Sequence, residues 1–198
     1  MSLAKRAFDV ASSAAGLIVL SPVFAAVAVA IKLTDRGPVF FRQERVGRGG
    51  TVFRIHKFRS MRVANEGSLV TSANDNRITP IGALLRKSKL DELPQLIDVL
   101  VGDMSVVGPR PEVPKYVELW GDEARREILS VRPGISDPAA IAFRNEQDEL
   151  AAAPDPERHY VEVILPKKVA MYREYVRTRS FFGDLAVIFR TFATIVRD

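Results

Sequence analysis

The chain has 198 residues, about one domain's worth on a soft prior of ~150 residues per domain, and is 47% hydrophobic and 27% charged. That composition excludes a wholly disordered chain, and a single long apolar run excludes a polytopic membrane protein, which needs several runs of about 20 residues. Without cysteine there is no disulfide scaffold, zinc ribbon or thiol nucleophile; two histidines, His56 and His159, leave little for a His-based metal site; and a net charge of +5 points to an anionic partner.

From Val10 to Ile31 no residue is charged, and Ser12, Ser13 and Ser21 are the only polar side chains. A straight helix of that length covers about 33 Å, enough to cross the hydrocarbon core of a bilayer. A cleaved secretory signal fits poorly, because the run is long for one and Ile31-Lys32-Leu33-Thr34 offers no small-residue cleavage site. Ser21-Pro22 interrupts the run. Proline lacks an amide donor and clashes with the carbonyl four residues back, so the helix kinks there, and Ser21 can bond a freed carbonyl. The arms Val10 to Leu20 and Val23 to Ile31 are each about 15 Å long, half the thickness of the core. Lys5 and Arg6 precede the run and Lys32 and Arg36 follow it, so both ends favour the cytoplasmic side. A re-entrant hairpin and a kinked spanning helix both satisfy these facts.

Residues 32–62 carry nine Lys/Arg against two acids, a basic belt suited to anionic lipid heads. Within it, Val39 to Val46 and Thr51 to Phe58 read as strands joined by Gly47-Arg48-Gly49-Gly50, a β-hairpin. No nucleotide-binding glycine fingerprint follows, and no nucleic-acid recognition module matches, so nucleic acid is not an expected partner. Residues 63–80, rich in Asn, Ser, Thr and Gly, read as a loop. Leu93, Leu96, Ile97, Leu100 and Val101 fall on one face of a helix that is expected to start with Asp91 as N-cap and to stop at Gly102. Proline-rich corners present Arg110 and Arg132 on stiff backbone. Near the C-terminus Phe181, Leu185, Ile188, Phe192 and Ile195 form a helical stripe, which suits core packing better than an interfacial role. Trp120 is expected to pack or to sit at an interface, and His56 and His159 have no assigned task.

Asp91 and Glu92 are the carboxylates that stand out. At a helix start free amides stabilise an anion or hold a phosphate, and Arg86, Lys87 and Lys89 add positive potential just upstream. A carboxylate beside cations suits attack on a phosphoanhydride, with an oxygen-ligated divalent cation to neutralise both anions; without a His/Cys ligand set, magnesium is the natural choice. A plain helix cap explains the same pair.

Seven motifs occur in order: Lys5-Arg6-Ala7-Phe8-Asp9; Ser21-Pro22; Gly37-Pro38-Val39-Phe40-Phe41 with Gln43 and Arg45-Val46-Gly47; Lys57-Phe58-Arg59-Ser60-Met61; Leu90-Asp91-Glu92-Leu93-Pro94-Gln95-Leu96; Gly108-Pro109-Arg110-Pro111; and Arg132-Pro133-Gly134-Ile135. Through them nearly the whole chain resembles the small form of the monotopic phosphoglycosyl transferases, the bacterial sugar transferase family. The resemblance implies an α+β, predominantly helical fold: a re-entrant helix-break-helix hairpin over residues 1–35, kinked at Ser21 and Pro22, then a cytosol-facing catalytic domain over 36–198 with a small β-hairpin and amphipathic interfacial helices. It implies an enzyme of the bacterial inner membrane, active on its cytoplasmic face, that moves a sugar phosphate from a UDP-sugar to polyprenyl phosphate and releases UMP. The ping-pong mechanism of that family assigns Asp91 as nucleophile and as ligand of Mg2+, and Glu92 as its partner carboxylate, for proton handling or metal support. Lys57, Arg86 and Arg110 match phosphate contacts, and Arg144 is a further substrate contact. Membrane phospholipid is a further partner, and the oligomeric state, a homodimer included, is open. After Gly134-Ile135 many relatives continue with Thr-Gly and Gly-Arg-Asn segments; here Ser136-Asp137-Pro138-Ala139 follows, which leaves the sugar open. The rival reading is a non-catalytic membrane-surface adaptor on the same fold.

Overall fold

The computed structural model describes residues 3–62, 70 and 75–197. Helices α1 (Leu3–Val19) and α2 (Ser21–Asp35) meet at Leu20 with a bend of 60°. The break has the local chemistry that proline imposes: Pro22 offers no amide to the Ile18 carbonyl, and the Ser21 hydroxyl donates to that carbonyl instead, at 2.8 Å. Among the described residues no single helix is long and apolar enough to cross a membrane, but this bent pair passes that test together. Helix α1 is inside out for a protein in water. It buries Asp9 and Ser13 and exposes Leu3, Ile18 and Val19. The Asp9 carboxylate accepts the Ser105 hydroxyl at 2.8 Å and the Val106 amide at 3.2 Å, which fastens α1 to the rest of the chain. Helix α2 lays Val27 and Ile31 on Phe58 and Leu85.

Strands β1 (Phe40–Val46) and β2 (Val52–Phe58) pair antiparallel from Phe40↔Phe58 to Val46↔Val52, as the two strand-like segments and their Gly-rich link anticipate. Gly49 and Gly50 take φ of 70° and 82° in that link, a region most side chains avoid. Of the expected loop over 63–80, residues 63–69 and 71–74 lie outside the described residues. The chain resumes with Met61 bridged to Ile78 and Thr79 capping α3 (Pro80–Lys87), its hydroxyl accepting the Gly82 amide at 3.0 Å.

The next helix starts later than its pattern suggests. Leu90–Glu92 is a 3-10 turn entered through Lys89 in the left-handed region (φ 56°), and α4 (Gln95–Val101) begins behind Pro94. Asp91 therefore caps no helix: the Leu93 amide goes to the Leu90 carbonyl, and Pro94 has no amide to offer. The end at Gly102 (φ 105°) is as expected. The inward face of α4 is also corrected. Gln95, Asp98 and Val99 are buried, while Leu100 and Val101 of the apolar stripe are exposed and Leu96 approaches Gly16 of α1.

Two corners that look irregular in the sequence pair with each other. Strands β3 (Ser105–Val107) and β4 (Gly134–Ser136) run parallel, and a Cβ on Gly134 would lie 2.0 Å from the Gly108 nitrogen, so glycine is required where the backbones cross. Helices α5 (Pro114–Val117), α6 (Asp122–Ile128), α7 (Pro138–Ala142), α8 (Glu146–Ala152) and α9 (Pro156–His159) follow. A π-helical turn over Tyr160–Ile164 leads into α10 (Leu165–Thr178). These elements close the main core around Tyr116, Trp120, Ile128, Ile164 and Tyr172, and Trp120 packs there as expected. Helix α11 (Phe181–Arg197) departs from the core packing expected of it: Val187 and Ile188 touch the protein, but Phe182, Phe189 and Phe192 are 64–81% exposed.

Candidate active site

The 3-10 turn sets Asp91 and Glu92 side by side, and elements remote in sequence supply their counter-charges. Lys57 on β2 donates to Glu92 Oε1 at 2.8 Å. Arg110, just beyond β3, grips the same carboxylate with two nitrogens, Nη1 to Oε2 at 3.1 Å and Nη2 to Oε1. Asp91 is 7% exposed, and among the described residues its Oδ1 atom is buried with no hydrogen-bond partner. Arg86 on α3 lies close enough for Asp91 to be the strongest charge acting on it, and its Nε is likewise buried without a partner.

The two carboxyls are pushed apart. Burial raises Asp91 above the usual carboxylate range; Lys57, Arg86 and Lys89 pull it back, while the neighbouring Glu92 charge adds to the rise. Burial would lift Glu92 too, but the charges of Arg110 and Lys57 and the hydrogen bonds from both outweigh it and hold the group well below its ordinary value. Burial lowers the Lys57 ammonium against the pull of Glu92, and Glu92 raises Arg110 well above its own ordinary value. Glu92 is thus a fixed anion locked between two cations, whereas Asp91 is a more basic carboxylate with an unused oxygen. A buried polar atom without a partner is costly, which is the expected state of a group kept for a ligand.

Of the six side chains singled out as catalytic or substrate-contacting, Lys57, Arg86, Asp91, Glu92 and Arg110 converge. Arg144 sits on the exposed turn between α7 and α8 and is not among the charges acting most strongly on either carboxylate. Ser21 and Pro22 lie at the α1–α2 break. Three groups that sequence patterns pass over support the cluster. His56 is no mere hairpin surface: its amide and Nδ1 meet the two oxygens of buried Asp98 at 2.8 and 2.6 Å, clamping β2 to α4. Glu112 accepts the Tyr160 hydroxyl at 2.7 Å and lies 3.9 Å from Arg45.

The third is Asp137, in the segment where the chain leaves the family's pattern. It is fully buried; Oδ1 caps α7 by accepting the Ala140 amide at 2.9 Å, and Oδ2 has no partner among the described residues. Burial, opposed by Arg110, raises its pKa from 3.8 to about 6. The sign follows from the raised value: the contribution to stability is full below pH 3.8 and is lost as pH rises through about 6. At 1.36 kcal/mol per pH unit that loss is about 3 kcal/mol. Asp137→Asn keeps the cap but cannot ionise. Relative to the parent it is expected to gain about 3 kcal/mol on going from about pH 3 to about pH 7, as measured by chemical denaturation. A difference that stays constant with pH refutes the assignment.

Among the described residues no group of three or more His, Cys, Asp or Glu is arranged to hold a metal ion. The orphaned Asp91 Oδ1 nevertheless fits magnesium, a hard cation that is usually bound through one or two carboxylates together with substrate phosphates.

Comparison with known proteins places the chain in a family. The chain is 39% identical, over 96% of its length, to the UDP-glucose:undecaprenyl-phosphate glucose-1-phosphate transferase of Escherichia coli K12, of which it spans only 39%. It is 38% identical to the UDP-N-acetylgalactosamine-undecaprenyl-phosphate N-acetylgalactosaminephosphotransferase of Aeromonas hydrophila, covering 97% of this chain and 43% of that one. To the exopolysaccharide production protein ExoY of Rhizobium meliloti it is 34% identical, over 98% of this chain and 85% of the relative. The sequence profile of the family described as bacterial sugar transferase matches residues 1–198 from end to end, so the chain belongs to that family.

Proposed function

We propose that the chain is a phosphoglycosyl transferase that moves a sugar phosphate from a UDP-sugar to polyprenyl phosphate through a covalent intermediate on Asp91. The observation that carries this is the buried Oδ1 of Asp91, unpartnered among the described residues, beside a Glu92 clamped by Lys57 and Arg110. A carboxylate oxygen of Asp91 attacks the β-phosphorus of the donor; the bond from that phosphorus to the bridging oxygen breaks, and UMP leaves with that oxygen. A phosphate oxygen of the polyprenyl acceptor then attacks the same phosphorus and expels the Asp91 carboxylate. Two displacements divide one hard step into two easier ones, and both nucleophiles are already anions, so neither needs a general base. Arg86, on which Asp91 is the strongest acting charge, contacts the incoming phosphates, while Glu92 holds Lys57 and Arg110 in place. Asp91 would hold magnesium, whose charge would offset the repulsion between that carboxylate and the donor diphosphate.

The same proposal makes residues 1–35 a re-entrant hairpin in the cytoplasmic membrane and 36–198 a catalytic unit on its cytoplasmic face. Support comes from the reversed polarity of α1, the exposed Leu100 and Val101 of α4 and the exposed phenylalanines of α11, all apolar surface turned away from the protein. The chain has no cysteine, so Leu3→Cys and Leu33→Cys, at positions 90% and 81% exposed, each report one end of the hairpin. Both are expected to react with a membrane-impermeant maleimide from the cytoplasmic side only. Labelling from opposite sides means that the segment spans.

The reaction is tested by following UMP release from UDP-glucose, UDP-galactose and UDP-N-acetylgalactosamine with purified protein in micelles. Release from at least one donor, dependent on magnesium and stopped by EDTA, is expected. No release from any donor, with acceptor lipid and metal present, leaves the adaptor reading in its place.

A further inference from the structure

A second cationic site lies apart from the carboxylates, at the other end of α4. A cavity of about 310 Å3 opens where the first turns of α1, strand β3 and the corner between α10 and α11 meet. Lys5, Arg48, Arg132 and Arg179 line it, with Asp184 the one acid among the lining residues, a net excess of three positive charges; none of Lys57, Arg86, Asp91, Glu92 or Arg110 reaches it. Arg132 fixes its position by donating Nε to the carbonyl of Gly102, the residue that ends α4, at 2.6 Å. The start of α11 closes one wall through Ser180 and Phe181, so a helix N-terminus adds to the positive potential there. The crowding leaves a mark: burial first, then the like charges of Arg6 and Arg48, lower the Arg132 guanidinium from its ordinary value. An anion in the cavity would relieve that repulsion. Beside it lie Phe181 and, 81% exposed, Phe182, the first of the outward-facing phenylalanines of α11, and Phe8 of α1 meets Phe181 edge-on at 5.6 Å. Oxyanion-binding groups at the lip of an apolar surface match a phosphate diester attached to acyl chains.

We propose that this cavity is a second phosphate-binding site, separate from the Asp91 centre, that takes the headgroup phosphate of an anionic phospholipid. The lipid source rests on the membrane placement of α1 proposed above; the phosphate chemistry does not. The Arg48 and Arg179 guanidinium groups close on the phosphate oxygens, and the acyl chains lie along Phe181 and Phe182. In this way α1 and α11 are stitched together at the membrane surface by a lipid that takes no part in the reaction.

The test uses the full chain in zwitterionic micelles, titrated with short-chain phosphatidylglycerol, short-chain phosphatidylcholine or inorganic phosphate, with thermal unfolding as the readout. Phosphatidylglycerol is expected to raise the melting temperature saturably and phosphatidylcholine to leave it unchanged. In Arg48→Gln/Arg179→Gln the apparent Kd for phosphatidylglycerol should weaken at least about tenfold, on the loss of charge-assisted contacts, while UMP release stays at the parent's level. Should the double variant melt poorly, Arg48→Gln alone, on the exposed hairpin link, repeats the measurement. Equal responses to the two lipids, or an unchanged Kd in the variants, overturn the site. Inorganic phosphate acting as strongly as phosphatidylglycerol overturns the lipid assignment. Because the responses to lipid and phosphate are read from thermal unfolding and not from turnover, failure here is distinguishable from failure of the transferase reading.

Discussion

Asp91→Asn is expected to lower UMP release by at least about 10⁴-fold, the scale of loss when a covalent nucleophile is removed, while leaving the chain folded. The combination is the diagnostic. Burial already penalises the ionised form of Asp91, and its Oδ1 has no partner among the described residues to lose, so a neutral side chain of the same shape should melt no lower than the parent. A residue needed only for structure behaves the other way, costing stability first and activity in consequence. Intact-protein mass spectrometry supplies the second readout. After incubation with UDP-sugar and magnesium, and no acceptor lipid, the parent should gain one sugar phosphate and Asp91→Asn none. The raised pKa fixes the direction of the pH dependence: attack requires the carboxylate, so activity falls as pH drops through a value above the ordinary 3.8. Turnover near the parent's rate in Asp91→Asn means that another group attacks phosphorus.

Local rules make several elements legible from the residues alone. The β1–β2 pairing follows from two strand-like segments joined by a short Gly-rich link. The 60° break follows from a proline that withholds one amide and a serine that replaces it, and the end of α4 from a glycine at positive φ. What escapes such rules is non-local or depends on solvent. Periodicity reports that α4 and α11 have an apolar stripe but not whether protein or lipid covers it, so a stripe that suits a core in water turns outward instead. The late start of α4 hangs on Lys89 adopting a left-handed conformation that no propensity favours. Asp91 and Glu92 stand out by charge pattern, but their partners come from 35 residues upstream and 18 downstream, and motif resemblance alone nominates them. Asp137, the His56–Asp98 clamp and the β3–β4 pair have no sequence signal beyond a carboxylate, a histidine and two glycines in places that folding makes adjacent.

Glu92→Gln is expected to do the reverse of Asp91→Asn: to cost stability and to impair, rather than abolish, chemistry. Glu92 is the shared counter-ion of Lys57 and Arg110, and all three side chains are largely buried, at 15%, 16% and 29% exposed. Breaking a buried pair by neutralising one partner strands the other charges and costs ~3–5 kcal/mol; with this residual solvent contact the loss should fall near ~3 kcal/mol. UMP release should drop about 10²- to 10³-fold, because Lys57 and Arg110 lose the anion that orients them. The remaining activity carries a signature that simple disorder lacks. The Glu92 charge is one of the causes that raise Asp91, so its removal should move the acid limb of the pH profile downward. A double-mutant cycle then separates clamp from chemistry. Arg110→Met alone leaves Glu92 short of its strongest counter-charge, and Glu92→Gln alone leaves Arg110 with no carboxylate in its grip. In the double variant neither penalty applies in full, so the stability loss should be smaller than the two single losses together by at least ~1 kcal/mol. Strict additivity would mean that the three charges do not act as one unit, and that Arg110 stands near Glu92 for the sake of the phosphate alone.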